Sequence, residues 1–136
     1  RIARAIHERE RVDPIETSVE LADVVKRAVP LSYERGRLHP ATRTFLAFRI
    51  YINNELDNLE KFLDSLEAVV VPGGRVGIIS FNSLEDRIVK NMFKLMAQRN
   101  ILKILTKKPI RPSYEEIREN PRARSAKFRA AVLSKS

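Results

Sequence analysis

The stretch from Val71 to Lys94, V-P-G-G-R-V-G-I-I-S-F-N-S-L-E-D-R-I-V-K-N-M-F-K, leaves little freedom in how it folds. Pro72-Gly73-Gly74 is a turn, because proline fixes one backbone angle and glycine supplies the conformations other residues avoid. Val76 to Phe81 is apolar at both alternating faces, the pattern of a central strand of a parallel sheet covered on both sides. A helix follows at once. Asn82 stands three residues before Glu85 and Ser83 three before Asp86, both at capping-box spacing, and Leu84, Ile88, Met92 and Leu95 repeat at helical intervals. Strand, turn and helix make half of a βαβ unit. In open α/β sheets ligands sit outside the carboxyl ends of the strands, which puts Ser80 to Glu85 at the rim of a candidate site.

The rest of the chain is read around that unit. Ile2, Ala5 and Ile6 already have helical spacing with no capping residue before them, so the sequence is expected to start inside a helix. Asp13-Pro14 ends that helix, and Thr17 with Glu20 opens a second that carries Leu21, Val24, Val25 and Ala28 on one face. Leu31 to Leu38 reads as a polar loop. From Ala41 to Val71 neither Gly nor Pro intervenes, and Phe45, Phe48, Ile52, Leu56, Leu59, Leu63, Leu66 and Val70 recur at gaps of three and four. This predicts a helix of ~45 Å if unbroken. Further on, Ile101 to Thr106 is a strand, Ser113 to Arg118 a short helix and Asn120 to Ser125 a basic loop. Lys127 to Leu133 reads as an antiparallel edge strand with Phe128, Ala130 and Val132 inward and Lys127 and Arg129 in water.

With 136 residues and 43% hydrophobic content the chain can build one core of ordinary size. Its lack of cysteine excludes disulfides and thiolate metal sites, and two lone histidines make a poor metal centre. No apolar run reaches the ~20 residues that span a bilayer. A cytoplasmic protein is the expectation.

Charge is unevenly placed. Residues 1–86 carry 12 basic and 14 acidic side chains, and residues 87–136 carry 14 basic and 3 acidic. From Arg87 to Arg111 there are eight basic residues, no acidic one, and Phe93 as the sole aromatic. A surplus of that size favours a polyanionic partner, through phosphate contact more than base stacking, over a merely solvated face.

Three motifs carry a resemblance: H-P-A-T-R-T-F-x-A-x-R-I-x-x-N at His39 to Asn53, P-G-G-R-x-x-x-I-S-F-x-S-L-E-D-R-I-V-K at Pro72 to Lys90, and E-N-P-R-A-R-S-A-K at Glu119 to Lys127. Together, and collinearly over essentially the whole chain, they resemble the C-terminal half of the 16S ribosomal RNA cytidine N4-methyltransferases, the RsmH/MraW family. The resemblance implies an α/β fold: the C-terminal half of a class I, Rossmann-like methyltransferase sheet ending in an antiparallel pair, with a helical insert domain at the N-terminal end. Residues 1–52 would be the RNA-recognition insert and residues 53–136 the C-terminal part of the catalytic domain. It further implies S-adenosylmethionine as cofactor and the small-subunit ribosomal RNA as partner. The family's glycine-rich loop, ribose-holding acid and Ser-Pro segment have no counterpart here. Gly73-Gly74 precedes a strand, whereas a nucleotide loop follows one. Asn82 stands where the family usually has His, and Leu46 where it usually has Gln.

The candidate RNA or substrate contacts are His39, Thr42, Arg43, Arg49, Asn53, Asn82, Ser83, Glu85, Arg87, Arg122 and Arg124. His39 before Pro40 reads first as a cap and second as an RNA contact. Glu85 and Asp86 read first as carboxylates favouring a helix N-terminus, with Arg87 pairing one of them or a strand-end carbonyl. Arg122 and Arg124 are the best phosphate candidates. No residue is singled out as catalytic. The leading expectation is a chain that helps methylate the N4 amine of a ribosomal cytidine when the cofactor-binding half is present. The alternative is a non-catalytic RNA-binding or assembly module. Because Arg75 to Phe81 looks central, the chain is expected to pair that strand with a complementary half, a second copy, or a displaced segment of its own.

Overall fold

The computed structural model describes residues 1–33 and 38–134; residues 34–37, within the loop expected at 31–38, lie outside the described residues. The chain divides into two compact units, Arg1–Asn53 and Asn54–Ser136.

The first unit is helical. α1 spans Ile2–Val12, α2 Ser18–Ala28 and α3 Thr42–Ile52. α2 begins where the sequence predicts: the Thr17 hydroxyl accepts from the Glu20 N–H at 3.2 Å while the Glu20 carboxylate accepts from the Thr17 N–H at 2.9 Å. α1 and α2 pack on each other. Few side chains are fully buried in this unit; Val25 and Ala41 are, both at 0% exposure.

The second unit holds the sheet. Its elements are α4 (Glu55–Asp64), α5 (Leu66–Val69), β1 (Arg75–Ser80), α6 (Ser83–Gln98), β2 (Leu102–Ile104), α7 (Tyr114–Glu119), a 3-10 turn (Pro121–Ser125) and β3 (Lys127–Leu133). The predicted long helix is thus three helices. Asn54, at φ 50°, takes the left-handed conformation that asparagine tolerates better than most residues, and this interrupts the helix. A second break falls at Ser65, whose hydroxyl bonds back to the Phe62 carbonyl at 2.8 Å.

The sheet order is β1-β3-β2, with β3 antiparallel to both neighbours. β1 and β2 therefore run the same way, as a βαβ unit through α6 requires, but β3 is slotted between them. Two expectations are corrected here. β1 is not a parallel strand covered on both faces: its exposure alternates, with Val76 and Ser80 buried and Ile79 59% exposed. β3 is not an edge strand with wet basic residues: it is central, and Arg129, Ala131 and Leu133 are the buried side chains, the opposite phase from the one predicted. The physical reason is a carboxylate. Asp86 meets Arg129 on the buried face, so a basic residue can point inward without an unpaired charge.

Leu63, Leu66, Val76, Val89, Phe93, Met96, Leu102, Ala131 and Leu133 form one core, in which α6 packs on the sheet and α4 packs on α6. Each large side chain buried there contributes roughly 1.5–3 kcal/mol. Two glycines are held by geometry. Gly73 has φ 80°, which turns the chain into β1. A Cβ at Gly77 would lie 2.7 Å from the Phe128 ring, which packs over it from β3.

Candidate nucleic-acid interface

The start of α6 is fixed by reciprocal hydrogen bonds. Asn82 Oδ1 accepts from the N–H groups of Leu84 (2.9 Å) and Glu85 (3.0 Å), and the Glu85 carboxylate accepts from the N–H groups of Phe81 (2.9 Å) and Asn82 (3.4 Å). Four backbone donors at the end of β1 are thereby satisfied, which leaves this loop a closed cap rather than an open anion cradle. Since Oδ1 is committed to the cap, the orientation of the Asn82 amide is settled. Its Nδ2 is buried and has no hydrogen-bond partner among the described residues. Ser83 is exposed at the first turn.

Asp86 lies behind the cap. Its carboxylate receives Arg129 Nε at 2.7 Å and Nη2 at 3.4 Å, with Lys127 Nζ at 3.5 Å. The Arg129 hydrogen bond, above all, holds the Asp86 carboxyl below its ordinary value of 3.8; burial pushes the other way, and the charges of Arg129 and Lys127 add to the lowering. This corrects the expected pairing: Glu85 is a cap, Asp86 pairs with β3, and Arg87 is exposed with no hydrogen bond or ion pair of its side chain among the described residues. Sequence reading missed Arg129. The only signal for it is an arginine in an otherwise apolar alternation, and its partner is 43 residues away.

Arg122 and Arg124 are exposed on the 3-10 turn, where the Asn120 side chain accepts from the Arg122 N–H at 3.2 Å. That turn leads into Lys127, which pairs with Ser80, so it lies at the same end of the sheet as the α6 cap. The structure thus brings Asn82, Ser83, Glu85, Arg122 and Arg124 to one end of unit 2.

In unit 1, His39 acts as a cap: its Nδ1 accepts from the Ala41 N–H at 3.2 Å, and its carbonyl accepts from the Thr42 N–H at 3.0 Å. Thr42, Arg43, Arg49 and Asn53 are exposed along α3 and its C-cap. Arg43 borders an apolar groove of about 480 Å³ lined by Ile2, Ile6, Ala47, Phe48 and Tyr51. Among the described residues no group of three or more His, Cys, Asp or Glu side chains could hold a metal, and no helix is long and apolar enough to cross a membrane.

Comparison with known proteins agrees with the motifs. The profile of the MraW methylase family matches residues 1–134. The ribosomal RNA small subunit methyltransferase H of Sulfurihydrogenibium sp. (strain YO3AOP1) is 53% identical over 129 residues, covering 95% of this chain and 44% of that protein. Those of Nostoc punctiforme and Trichodesmium erythraeum are each 54% identical over 131 residues, covering 96% of this chain and 42% and 44% of theirs. The chain spans less than half the length of these relatives. A family match over residues 1–134, with relatives about half identical across nearly all of the sequence, is decisive: the chain belongs to the MraW methylase family.

Proposed function

We propose that this chain is the RNA-side, C-terminal part of an S-adenosylmethionine-dependent methyltransferase that acts on the N4 amine of a cytidine in small-subunit ribosomal RNA. The observation that carries the reading is the family match over residues 1–134. The sheet supports it. Two strands running the same way with an antiparallel strand between them suit the closing end of a class I methyltransferase sheet, with unit 1 as the RNA-recognition insert.

The residues present do not fit S-adenosylmethionine. Gly73 and Gly74 form the turn before β1, where the Gly74 N–H bonds the Val71 carbonyl at 2.8 Å and a Cβ on Gly74 would lie 2.6 Å from Val70. After β1 the backbone donors are taken by Asn82 and Glu85. In this reading the cofactor is held by residues outside these 136, and the present chain positions RNA. β1 then pairs, along its open edge, with a strand of the cofactor-binding half or with a second copy. A non-catalytic RNA-binding or assembly module is the second reading, favoured by the commitment of Asn82 and Glu85 to capping.

The test is methyl transfer from labelled S-adenosylmethionine to small ribosomal subunits, by the chain alone and by the chain combined with the remaining part of a relative's sequence. N4-methylcytidine, identified by mass spectrometry, is expected from the combination and not from the chain alone. No transfer by a combination that has assembled returns the chain to the second reading.

A further inference from the structure

We propose that a basic cleft on unit 2, between α6 and the segment after β2, holds the phosphate backbone of structured RNA; this rests on the RNA-side reading above and names the surface that carries it. The cleft encloses about 310 Å³ and is bordered by Lys90, Lys94 and Lys107 over a floor that includes Phe93 and Ile104. Lys90 and Lys94 are one helical turn apart on α6, and all three lysines are exposed. Like charges at that spacing repel and destabilise a helix. Among the described residues no acidic side chain lines the cleft, and none of the three lysines forms an ion pair.

The nearest compensation is already used. Arg129 forms the inner wall, and its charge is met by Asp86 at 2.7 Å, so the surplus of the cleft is that of the three lysines. Thr106, also in the wall, accepts from the Ala130 N–H at 2.9 Å through Oγ1, which leaves its hydroxyl proton for an acceptor in the cleft. The apolar floor lowers the local dielectric and strengthens an ionic contact above it. Phe93 is 1% exposed and offers no ring face for stacking, so the cleft suits phosphate and sugar rather than a base. A concave site with three uncompensated ammonium groups, on a segment with 14 basic and 3 acidic residues, matches a phosphate backbone in charge and form.

The test uses the full chain and a fluorescein-labelled RNA hairpin, with affinity measured between about 50 and 300 mM KCl. In the triple variant Lys90→Gln, Lys94→Gln, Lys107→Gln, affinity should fall about tenfold or more and the slope of log K against log salt should flatten by about 2 to 3. The corresponding triple Lys→Arg variant should bind like wild type. Replacing Lys61, Arg75 and Arg99, which are exposed elsewhere on the unit, with Gln removes the same charge and should leave most of the affinity. An unchanged affinity and slope in the cleft variant overturns the proposal, as does an equal loss in the control triple. A cleft variant that keeps RNA but loses binding to vesicles containing about one-third phosphatidylserine overturns it in favour of a membrane surface. A wild-type chain that binds no RNA at low salt overturns both this and the RNA-side reading.

Discussion

The two edges of the sheet are built differently. β2 is three residues long, carries the exposed Lys103, and is continued by a bridge in which Ile110 and Phe128 exchange two hydrogen bonds of 2.9 Å, so the outer side of β3 is paired along much of its length. β1 is six residues long, has one charge at its first position, and exposes Ile79 and, just beyond its end, Phe81 at 59% and 55%. Natural sheets blunt an open edge by shortness, lysine or cover. β2 follows that practice and β1 does not. The difference fits the proposed reading, in which β2 closes the sheet and β1 is the side on which it continues.

Removing what both edges depend on should have the largest effect. Asp86→Ala leaves Arg129, 7% exposed in the central strand, as a buried charge without its partner. A loss of about 3–5 kcal/mol is expected in chemical denaturation. A loss below about 1 kcal/mol would show that β3 is not held by this pair.

The edges themselves separate in the next experiment. Leu102→Ala on β2 removes a core side chain that is 3% exposed and should cost about 2–5 kcal/mol. Ile79→Ala on β1 should change the stability of the isolated chain by less than about 0.5 kcal/mol, because its side chain is in water. It should weaken association measurably more than stability. Equal costs at the two positions would show that the Ile79 side chain is not in water in the isolated chain. At the end of β1, Asn82→Ala removes the acceptor for two N–H groups and should cost about 1 kcal/mol, with Asn82→Asp retaining most of it.

The pH dependence follows from Asp86, whose carboxyl is held below 3.8 mainly by the Arg129 hydrogen bond. A depressed folded value means that the stabilisation is complete above the ordinary carboxylate range and is lost as pH falls from there toward the lower folded value. Thermal stability should therefore hold down to about pH 5 and decline below it. Asp86→Asn should make the acid decline shallower. An unaltered decline would assign it to other carboxylates.

What could be read from the sequence was local. The caps of α2, α6 and α7 were legible because Thr17 and Glu20, Asn82 and Glu85, and Ser113 and Glu116 act across three residues. The inward phase of β3 was not, because it depends on Asp86 meeting Arg129 across 43 residues and strand periodicity alone puts a basic residue in water. The break at Asn54 was also hidden, since it lies in a backbone angle that asparagine permits without requiring it. The candidate site was partly legible. The cap residues and Arg122 and Arg124 could be named from motifs, but the lysine cleft depends on α6 meeting the segment after β2, which no spacing reveals.

Hydrogen exchange along β1 tests directly whether the sheet continues past that strand. Exchange would be followed as the chain concentration is raised, and again with the remaining part of a relative's sequence added. If the sheet continues, β3 is protected throughout, while the outward amides of β1 exchange freely in the dilute monomer and gain protection approaching that of β3 in at least one of the associated states. Outward amides of β1 that exchange freely in every state, with β3 still protected, would show that β1 is a finished edge and would contradict the placement of this chain at the end of a larger sheet.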